Sequence, residues 1–128
     1  MPGGGRIIAA EEAEAFAREW IAAWNSGDLD RILAHYHDDF EMRSPLIAER
    51  GFSPDGCLQG KDAIRPYWAA GLAATPPILF ELIGVHAGVG AIAICYLSVG
   101  RGKIVVERIE LDANGRGTRA EALYRDEA

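Results

Sequence analysis

The chain has 128 residues, of which 49% are hydrophobic and 25% are charged, a size and composition that fit one globular domain and exclude two. Thirteen basic and nineteen acidic residues give a net charge of −6, which argues against general binding to nucleic acid or to an anionic membrane surface. No stretch approaches the roughly 20 apolar residues of a membrane span, and no signal-peptide pattern follows Met1. We therefore expect a single cytoplasmic domain over 1–128, with a flexible segment at 1–9.

Helical periodicity characterises the first third of the chain. Apolar residues at helical spacing predict a first helix over 11–24, which Gly27 would end. Asp28 is then placed as the N-cap of a second helix, which we expect to end near 37–39. The apolar residues that carry the two patterns are Ala13, Phe16, Ala17, Trp20 and Trp24, then Leu29, Ile32, Leu33 and Tyr36.

The period then changes to two, which predicts a short strand with Phe40, Met42 and Ser44 on one side. Four Gly and Pro residues indicate a long irregular loop over 46–60, of the kind that is often functional. A third helix is expected over 61–73, in which Pro66 would fit only near the first turn.

The remainder of the chain is predicted to be β-structure, with a good hairpin turn at Asn114-Gly115. The element order αα-β-α-ββββ indicates an α+β domain, in which a curved antiparallel sheet buries its apolar face against three helices. The four predicted strands are 78–87, 89–99, 103–112 and 118–125.

Two cysteines are too few for a disulfide framework, and we expect two free thiols, as in a reducing compartment. Cys57 lies in the Gly/Pro-rich segment and has no recognisable histidine partner for nucleophilic catalysis. Cys95 lies in an apolar run and is expected to be buried as a small hydrophobic residue.

Four segments carry a resemblance to a known family: Glu19–Asp30, Tyr36–Phe40, Leu58–Arg65 and Asp112–Arg116. Together and in this order they resemble the nuclear transport factor 2-like superfamily, and most closely its SnoaL-like branch, named for a polyketide cyclase. The resemblance implies a cone-shaped α+β barrel with an apolar pocket at its wide end. Members include polyketide cyclases, ketosteroid isomerases, limonene epoxide hydrolases, dehydratases and proteins that only bind, so the fold leaves the function open.

Comparison with the ketosteroid isomerases argues against that activity. Their aspartate base precedes the proline that ends the first strand, and Ser44 holds this place here. Their tyrosine donor on the first helix corresponds to Trp20. Their second aspartate, which is kept protonated so that it can donate a hydrogen bond, has its place at Ile109 or Glu110. Two of the three groups are replaced in this chain, which argues against catalysis by the ketosteroid isomerase mechanism.

Two other activities of the superfamily find weaker matches. The Asp-Arg-Asp arrangement of the epoxide hydrolases has its nearest counterpart in Arg108-Ile109-Glu110, which lies on a different strand from the family's pair. The cyclases use a His/Asp pair in the pocket, for which His86 and Glu107 are the nearest candidates.

Glu107 is the leading candidate for catalysis. It shares one side of its predicted strand with Val105, Ile109 and Leu111, and apolar neighbours would raise its pKa toward that of a general acid or base. The alternative is an exposed glutamate or one that pairs with an arginine, for which Arg101, Arg108 and Arg119 are available. The pattern leaves open which face of this strand points inward.

His86, at the end of a strand, is a candidate proton carrier, although a structural role is the commoner one for such a histidine. His35, His37, Asp38 and Asp39 look like a metal cluster in sequence, but their predicted place at a helix end would not bring them together, and we expect no metal and no cofactor. The family's geometry implies a pocket lined by Trp20, Tyr36, Met42, Ser44, Tyr67, Trp68 and Ile109.

Two functions remain open. One is a cofactor-free enzyme that moves protons on a small apolar carbonyl or cyclic substrate, with Glu107 as acid/base and Ser44, Tyr67 or His86 orienting the substrate. The other is a non-catalytic domain that binds a small ligand or serves dimerisation. Strands that are apolar on both faces, notably at Ile92, Ile94, Ile104 and Val106, predict a homodimer through the sheet.

Overall fold

Four helices and six strands occupy residues 5–128, the part of the chain that this computed structural model describes. The helices are α1 (Ala10–Ser26), α2 (Leu29–Leu33), α3 (Pro45–Glu49) and α4 (Lys61–Ala73). The strands are β1 (Tyr36–Arg43), β2 (Cys57–Gln59), β3 (Phe80–Ala87), β4 (Ala91–Ser98), β5 (Lys103–Leu111) and β6 (Gly117–Asp126).

The strands form one curved, unclosed sheet in the order β2-β1-β6-β5-β4-β3, and the helices cover its inner face. This confirms the predicted α+β class and the cone-like architecture. The sheet is not wholly antiparallel as predicted, because β1 and β6 run parallel. A parallel pair needs a long crossover, and the chain between β1 and β6 supplies it by forming the rest of the sheet.

The first helix follows the predicted pattern. Its buried face includes Ala13, Ala17, Trp20 and Trp24, and Gly27 ends it in the left-handed conformation, with φ of 73° and its N–H donating to the Trp24 carbonyl. A side chain with a Cβ rarely adopts this φ, which explains the glycine.

The second helix begins as predicted, with the Asp28 carboxylate accepting from the Arg31 N–H at 3.2 Å. The predicted end near 37–39 is wrong, since the helix stops at Leu33 and Tyr36 begins β1. Tyr36 is fully buried, and its position satisfies both the helical spacing and the inward face of a strand.

The segment 46–60 is not the irregular loop that was predicted. Ser44 caps α3 by accepting from the Leu46 N–H at 3.2 Å, and Pro45 occupies the first turn, where a missing N–H costs nothing. β2 then pairs antiparallel with β1. Helix α4 has the predicted bounds, but Pro66 lies in its interior, exposed and beyond the first turn.

Residues 6–8 of the segment 1–9, which was predicted to be flexible, contact the domain, and residues 1–4 lie outside the described part. Ile7 forms an isolated antiparallel bridge with Val89, and Ile8 is buried. Arg6 pairs with Glu12 at 2.8 Å. Among the described residues, none of the helices is both long enough and apolar enough to cross a membrane.

The two faces of the sheet differ in burial. Ile92 and Ile94, which were predicted to contribute to both faces, lie on the inner face and are buried. The outer face carries partly exposed apolar side chains on the three adjacent strands β4, β5 and β6. These are Cys95, Leu97, Ile104, Val106 and Leu123.

Candidate active site

A cavity of about 320 Å³ lies between the inner face of the sheet and the helices α1, α3 and α4. This volume is at the lower end of the range found for small-molecule sites. Seven of its nineteen lining residues are aromatic, and they come from both layers. They are Trp20, Trp24, Tyr67, Trp68, Phe80, Tyr96 and Tyr124.

Glu107 lines this cavity from the middle of β5. Its side chain is 5% exposed and lies on the buried face of the strand, together with Val105, Ile109 and Leu111. The structure therefore settles which face of β5 points inward. Burial raises the pKa of Glu107 to about 7, although the hydrogen bond from Tyr96 opposes this shift.

The arginines that could have paired with Glu107 have other partners. Arg108 pairs with Glu110 at 2.8 Å, and Arg119 with Glu41 at 3.1 Å. Arg101 donates to the Pro76 carbonyl at 2.7 Å. Glu107 Oε1 accepts from the Tyr96 hydroxyl at 3.0 Å, and within residues 5–128 no hydrogen bond reaches Oε2.

Tyr36 and Ile109 lie behind the cavity wall rather than on it. Both are fully buried, and the Trp20 indole N–H donates to the Tyr36 hydroxyl at 2.8 Å. Burial, and secondarily the charge of Glu107, raises the pKa of Tyr36, which keeps its hydroxyl neutral. Gly117 leaves the space that the Tyr36 ring and Ile109 occupy. These two residues support the site without reaching a ligand.

Four of the remaining sequence candidates line the cavity, namely Trp20, Met42, Tyr67 and Trp68. Ser44 does not, because it caps α3 and its hydroxyl lies 3.3 Å from that of Tyr124. His86 is also outside. It is exposed near the end of β3, where it pairs with Ala93, so its expected place at the pocket is wrong.

The sequence candidates for a metal cluster do not form one. His35 lies before β1, where its ring packs edge-on against Phe16 and its Nδ1 lies within 3.2 Å of two backbone carbonyls. His37, Asp38 and Asp39 are exposed on β1 rather than at a helix end. Within residues 5–128 no three histidine, cysteine or acidic side chains are grouped to hold a metal ion. Cys57 and Cys95 are unpaired and half-buried, so the expected burial of Cys95 is incomplete.

Several cavity residues were not singled out from the sequence. The Trp24 indole nitrogen is buried, and no acceptor for its N–H occurs among the described residues. Tyr124 comes from β6, and Arg50 and Arg101 come from a helix end and a turn. Trp24 was predicted only as an apolar residue of the first helix. The pattern around the other three gave no sign that they meet.

Comparison with known proteins identifies the family. A model of the SnoaL-like domain matches residues 17–124. The chain belongs to the SnoaL-like family. None of the curated proteins matches this SnoaL-like chain at a significant level.

Solved structures agree with this assignment. A SnoaL-like protein of unknown function from Burkholderia thailandensis E264 is 40% identical over 94% of this chain and 99% of its own, with a TM-score of 0.88. An NTF-2-like protein of unknown function from Burkholderia xenovorans LB400 is 17% identical, over 91% of this chain and 84% of its own, with a TM-score of 0.71. SalBIII, an epoxide hydrolase/cyclase-like enzyme in pyran ring formation in the polyether salinomycin, is 17% identical over 90% and 92%, with a TM-score of 0.69. The last two share the fold alone.

Proposed function

We propose that this SnoaL-like protein is a cofactor-free enzyme that moves a proton on a small carbonyl or cyclic substrate, as an isomerase, cyclase or dehydratase would. The observation that carries the proposal is Glu107, a buried carboxyl that lines an aromatic cavity and lacks a cationic partner among the described residues. With a pKa of about 7, it exists in both protonation states near neutral pH. A group of this kind can accept a proton and return it within one turnover.

The proton transfer would use Oε2 of Glu107, since Oε1 is occupied by the Tyr96 hydroxyl. The carboxylate takes a proton from the carbon next to a carbonyl, and the C–H electrons form a carbon–carbon double bond while the carbonyl oxygen becomes an oxyanion. Return of the proton from Oε2 to the same or a conjugated carbon completes an isomerisation. Alternatively, the oxyanion re-forms the carbonyl, the C–O bond of a hydroxyl on the β-carbon breaks, and that hydroxyl takes the proton from Oε2 and leaves as water, which completes a dehydration.

The oxyanion needs a hydrogen-bond donor in the cavity. The Trp24 indole N–H is buried without an acceptor among residues 5–128, and a ligand oxygen would satisfy it. The Tyr67 hydroxyl is a second donor on the wall, and burial raises its pKa so that it keeps its proton. Ser44 and His86, which the sequence had suggested as orienting groups, have no place in this arrangement.

The test is exchange of the α-protons of cyclic ketones such as β-tetralone in D₂O, followed by proton NMR. We expect wild-type protein to accelerate the exchange and Glu107→Gln to abolish the acceleration. Glu110→Gln, on the opposite face of the same strand and paired with Arg108, is the matched control and should behave as wild type. Equal acceleration by the Glu107→Gln variant would refute the role of Glu107.

A non-catalytic ligand-binding protein is the second candidate. One observation favours it. Among residues 5–128, Glu107 is the one buried carboxyl on the cavity wall, so a second buried carboxyl that could act with it as an acid/base pair is missing there. Binding of ketones without any proton exchange would establish this function. A rise in melting temperature when the ketone is added would show that the ketone binds, whereas a cavity that stays empty would give no rise.

We also propose that two copies associate through the outer face of the sheet. A two-fold axis through this face would place its apolar centre, formed by Cys95, Val106 and Leu123, against the same residues of a second copy. Sedimentation at micromolar concentration tests this, with Leu123→Glu as the variant expected to dissociate the dimer. A monomeric wild-type mass would refute it.

A further inference from the structure

Two guanidinium groups line the cavity at its solvent-accessible mouth, and within residues 5–128 neither has a carboxylate partner. Arg50 follows the last turn of α3, and Arg101 lies in the turn between β4 and β5. Both line the cavity. Within residues 5–128, no carboxylate oxygen lies within 4.0 Å of either guanidinium.

The chain carries a net charge of −6, so a shortage of acidic residues does not explain why these two arginines lack a carboxylate partner within residues 5–128. Arginines elsewhere in the described part mostly have a carboxylate partner. Arg116 and Arg125 do not, and both are exposed and outside the cavity. The paired arginines are Arg6, Arg18, Arg31, Arg43, Arg65, Arg108 and Arg119.

The two charges act on the same space. The pKa of Arg101 is lowered first by burial and then by the charge of Arg50, so the positive charge of Arg50 is felt at Arg101. Lys103, a third cation on the cavity wall, is paired with Asp126. Glu49 also lines the cavity and is exposed, as Arg50 is, but it forms no ion pair with either arginine. An anion from outside the chain would relieve this repulsion.

Backbone and side-chain contacts hold both groups in place. Arg101 Nη2 donates to the Pro76 carbonyl at 2.7 Å, which leaves its other N–H groups available. The Arg50 guanidinium lies 5.9 Å from the centre of the Tyr67 ring. Arg50 Nη1 is 3.1 Å from the point where a Cβ on residue 71 would lie, so Gly71 provides the space beside α4 that this side chain uses.

We propose that the cavity binds a carboxylic acid with an aromatic or alicyclic body, whose carboxylate is held by Arg50 and Arg101 at the mouth. The fork of a guanidinium matches the two oxygens of a carboxylate, and the apolar body fits the aromatic walls formed by Trp20, Trp24 and Phe80. The acid group at the mouth would direct the far end of the molecule toward Glu107. The consequence for turnover rests on the proposed function, whereas the binding itself does not.

The test compares acids with their neutral amides by isothermal titration calorimetry. The three probe pairs are benzoate, cyclohexanecarboxylate and naphthoate, each with the corresponding amide. We expect at least one acid to bind about tenfold more tightly than its amide, and this preference to shrink in high sodium chloride. Equal binding of acid and amide in every pair, or no binding by any acid, would overturn the inference. A tighter hold on inorganic phosphate than on any of the acids would also overturn it.

Substitutions of single arginines test which residues cause the preference for the acid over the amide. Arg50→Gln and Arg101→Gln should each remove most of the acid preference, because each lowers the affinity for the acid more than the affinity for the amide. Arg18→Gln, an exposed position on α1 with the same change in charge, should keep the preference. A preference that persists when Arg50 and Arg101 are both replaced would place the acid elsewhere and overturn the inference.

Gly71→Ala gives an independent readout that leaves both charges in the chain. The new Cβ would lie 3.1 Å from Arg50 Nη1 and force the guanidinium to shift by a few tenths of an ångström, while alanine favours the helix more than glycine does. We expect weaker acid binding without a loss of melting temperature, and unchanged acid binding would contradict the role of Arg50. Glu107→Gln separates the two proposals, because it should keep acid binding even though it abolishes proton exchange.

Discussion

The Tyr96 hydroxyl donates to Glu107 Oε1 at 3.0 Å, from a neighbouring strand and at a diagonal position, since Tyr96 pairs with Val105 and Glu107 with Ile94. The contact fixes one carboxyl oxygen, and within residues 5–128 the other accepts no hydrogen bond. The same contact favours the ionised form of Glu107, against the effect of burial. The protonation of Glu107 is therefore set by two opposing influences that can be varied separately.

Stability should depend on pH through Glu107. Burial raises the pKa of this acid from its ordinary value of 4.5 to about 7, so the folded chain binds the proton more tightly than the unfolded chain. Stabilisation is complete below pH 4.5 and is lost as pH rises through 7, by about 3 kcal/mol in all. Urea unfolding of wild type and Glu107→Gln across this range measures it. The variant should lack this pH dependence, and an identical pH profile for both proteins would contradict the prediction.

Tyr96→Phe should raise the pKa of Glu107 above 7, because it removes the donor that stabilises the carboxylate. The midpoint of the Glu107 carboxyl signal in a ¹³C NMR titration reports the change. Any proton exchange that depends on the carboxylate should move to higher pH by the same amount. Tyr124→Phe serves as the control, since Tyr124 contacts Ser44 rather than Glu107 and should leave the midpoint in place.

Gly117→Ala should destabilise the fold by about 1–3 kcal/mol through overcrowding. A Cβ at this position would lie 2.7 Å from Tyr36 Cδ1 and 2.9 Å from Ile109 Cγ2, both in fully buried side chains. Gly84→Ala on β3 is the matched control, because no atom lies within 4 Å of its added Cβ. Thermal unfolding of the two variants compares them, and equal melting temperatures would show that the packing relaxes freely.

Asn25→Ala should weaken the junction between α1 and β3. The Asn25 side chain donates to the Phe80 carbonyl at 2.9 Å and accepts from the Phe80 N–H at 2.8 Å. Loss of two such bonds costs about 1–3 kcal/mol. Hydrogen exchange of the Phe80 amide should accelerate locally as well. Asn114→Ala, whose side chain makes no hydrogen bond within the described residues, should have the smaller effect in both measurements.

Local sequence patterns correctly predicted those elements in which the conformation that the residues prefer is also the one in which they pack. The bounds of α4 and the cap at Asp28 followed from apolar spacing and capping chemistry alone. The end of the second helix was predicted wrongly because Tyr36, as a single buried position, fits the helical period and the strand period equally well. Ser44-Pro45 is a good helix start, but the many Gly and Pro residues that follow it favoured a loop.

In the candidate site, too, local patterns predicted some residues and not others. Alternation on β5 predicted that Glu107 shares a side with apolar residues, and tertiary packing then decided that this side faces inward. Arg50 and Arg101 could not be predicted as neighbours, because a helix end and a turn distant in sequence meet only when the sheet curves around the helices. His86 was misplaced for a related reason. A bulge between Leu82 and Gly84 shifts the register of β3, and His86 is exposed near its end.

The parallel pairing of β1 with β6 has a consequence for how the chain acquires its structure during synthesis. β6 lies between β1 and β5, so it is the strand that joins β1 and β2 to the β3–β5 meander. Before Gly117–Asp126 have left the ribosome, any pairing within β1–β2 and within β3–β5 would leave the edges of β1 and β5 unpaired. Such edges are prone to wrong pairing. Assembly of the cavity is thus a late event, because Glu107 and Met42 reach the same wall only after this last strand is in place.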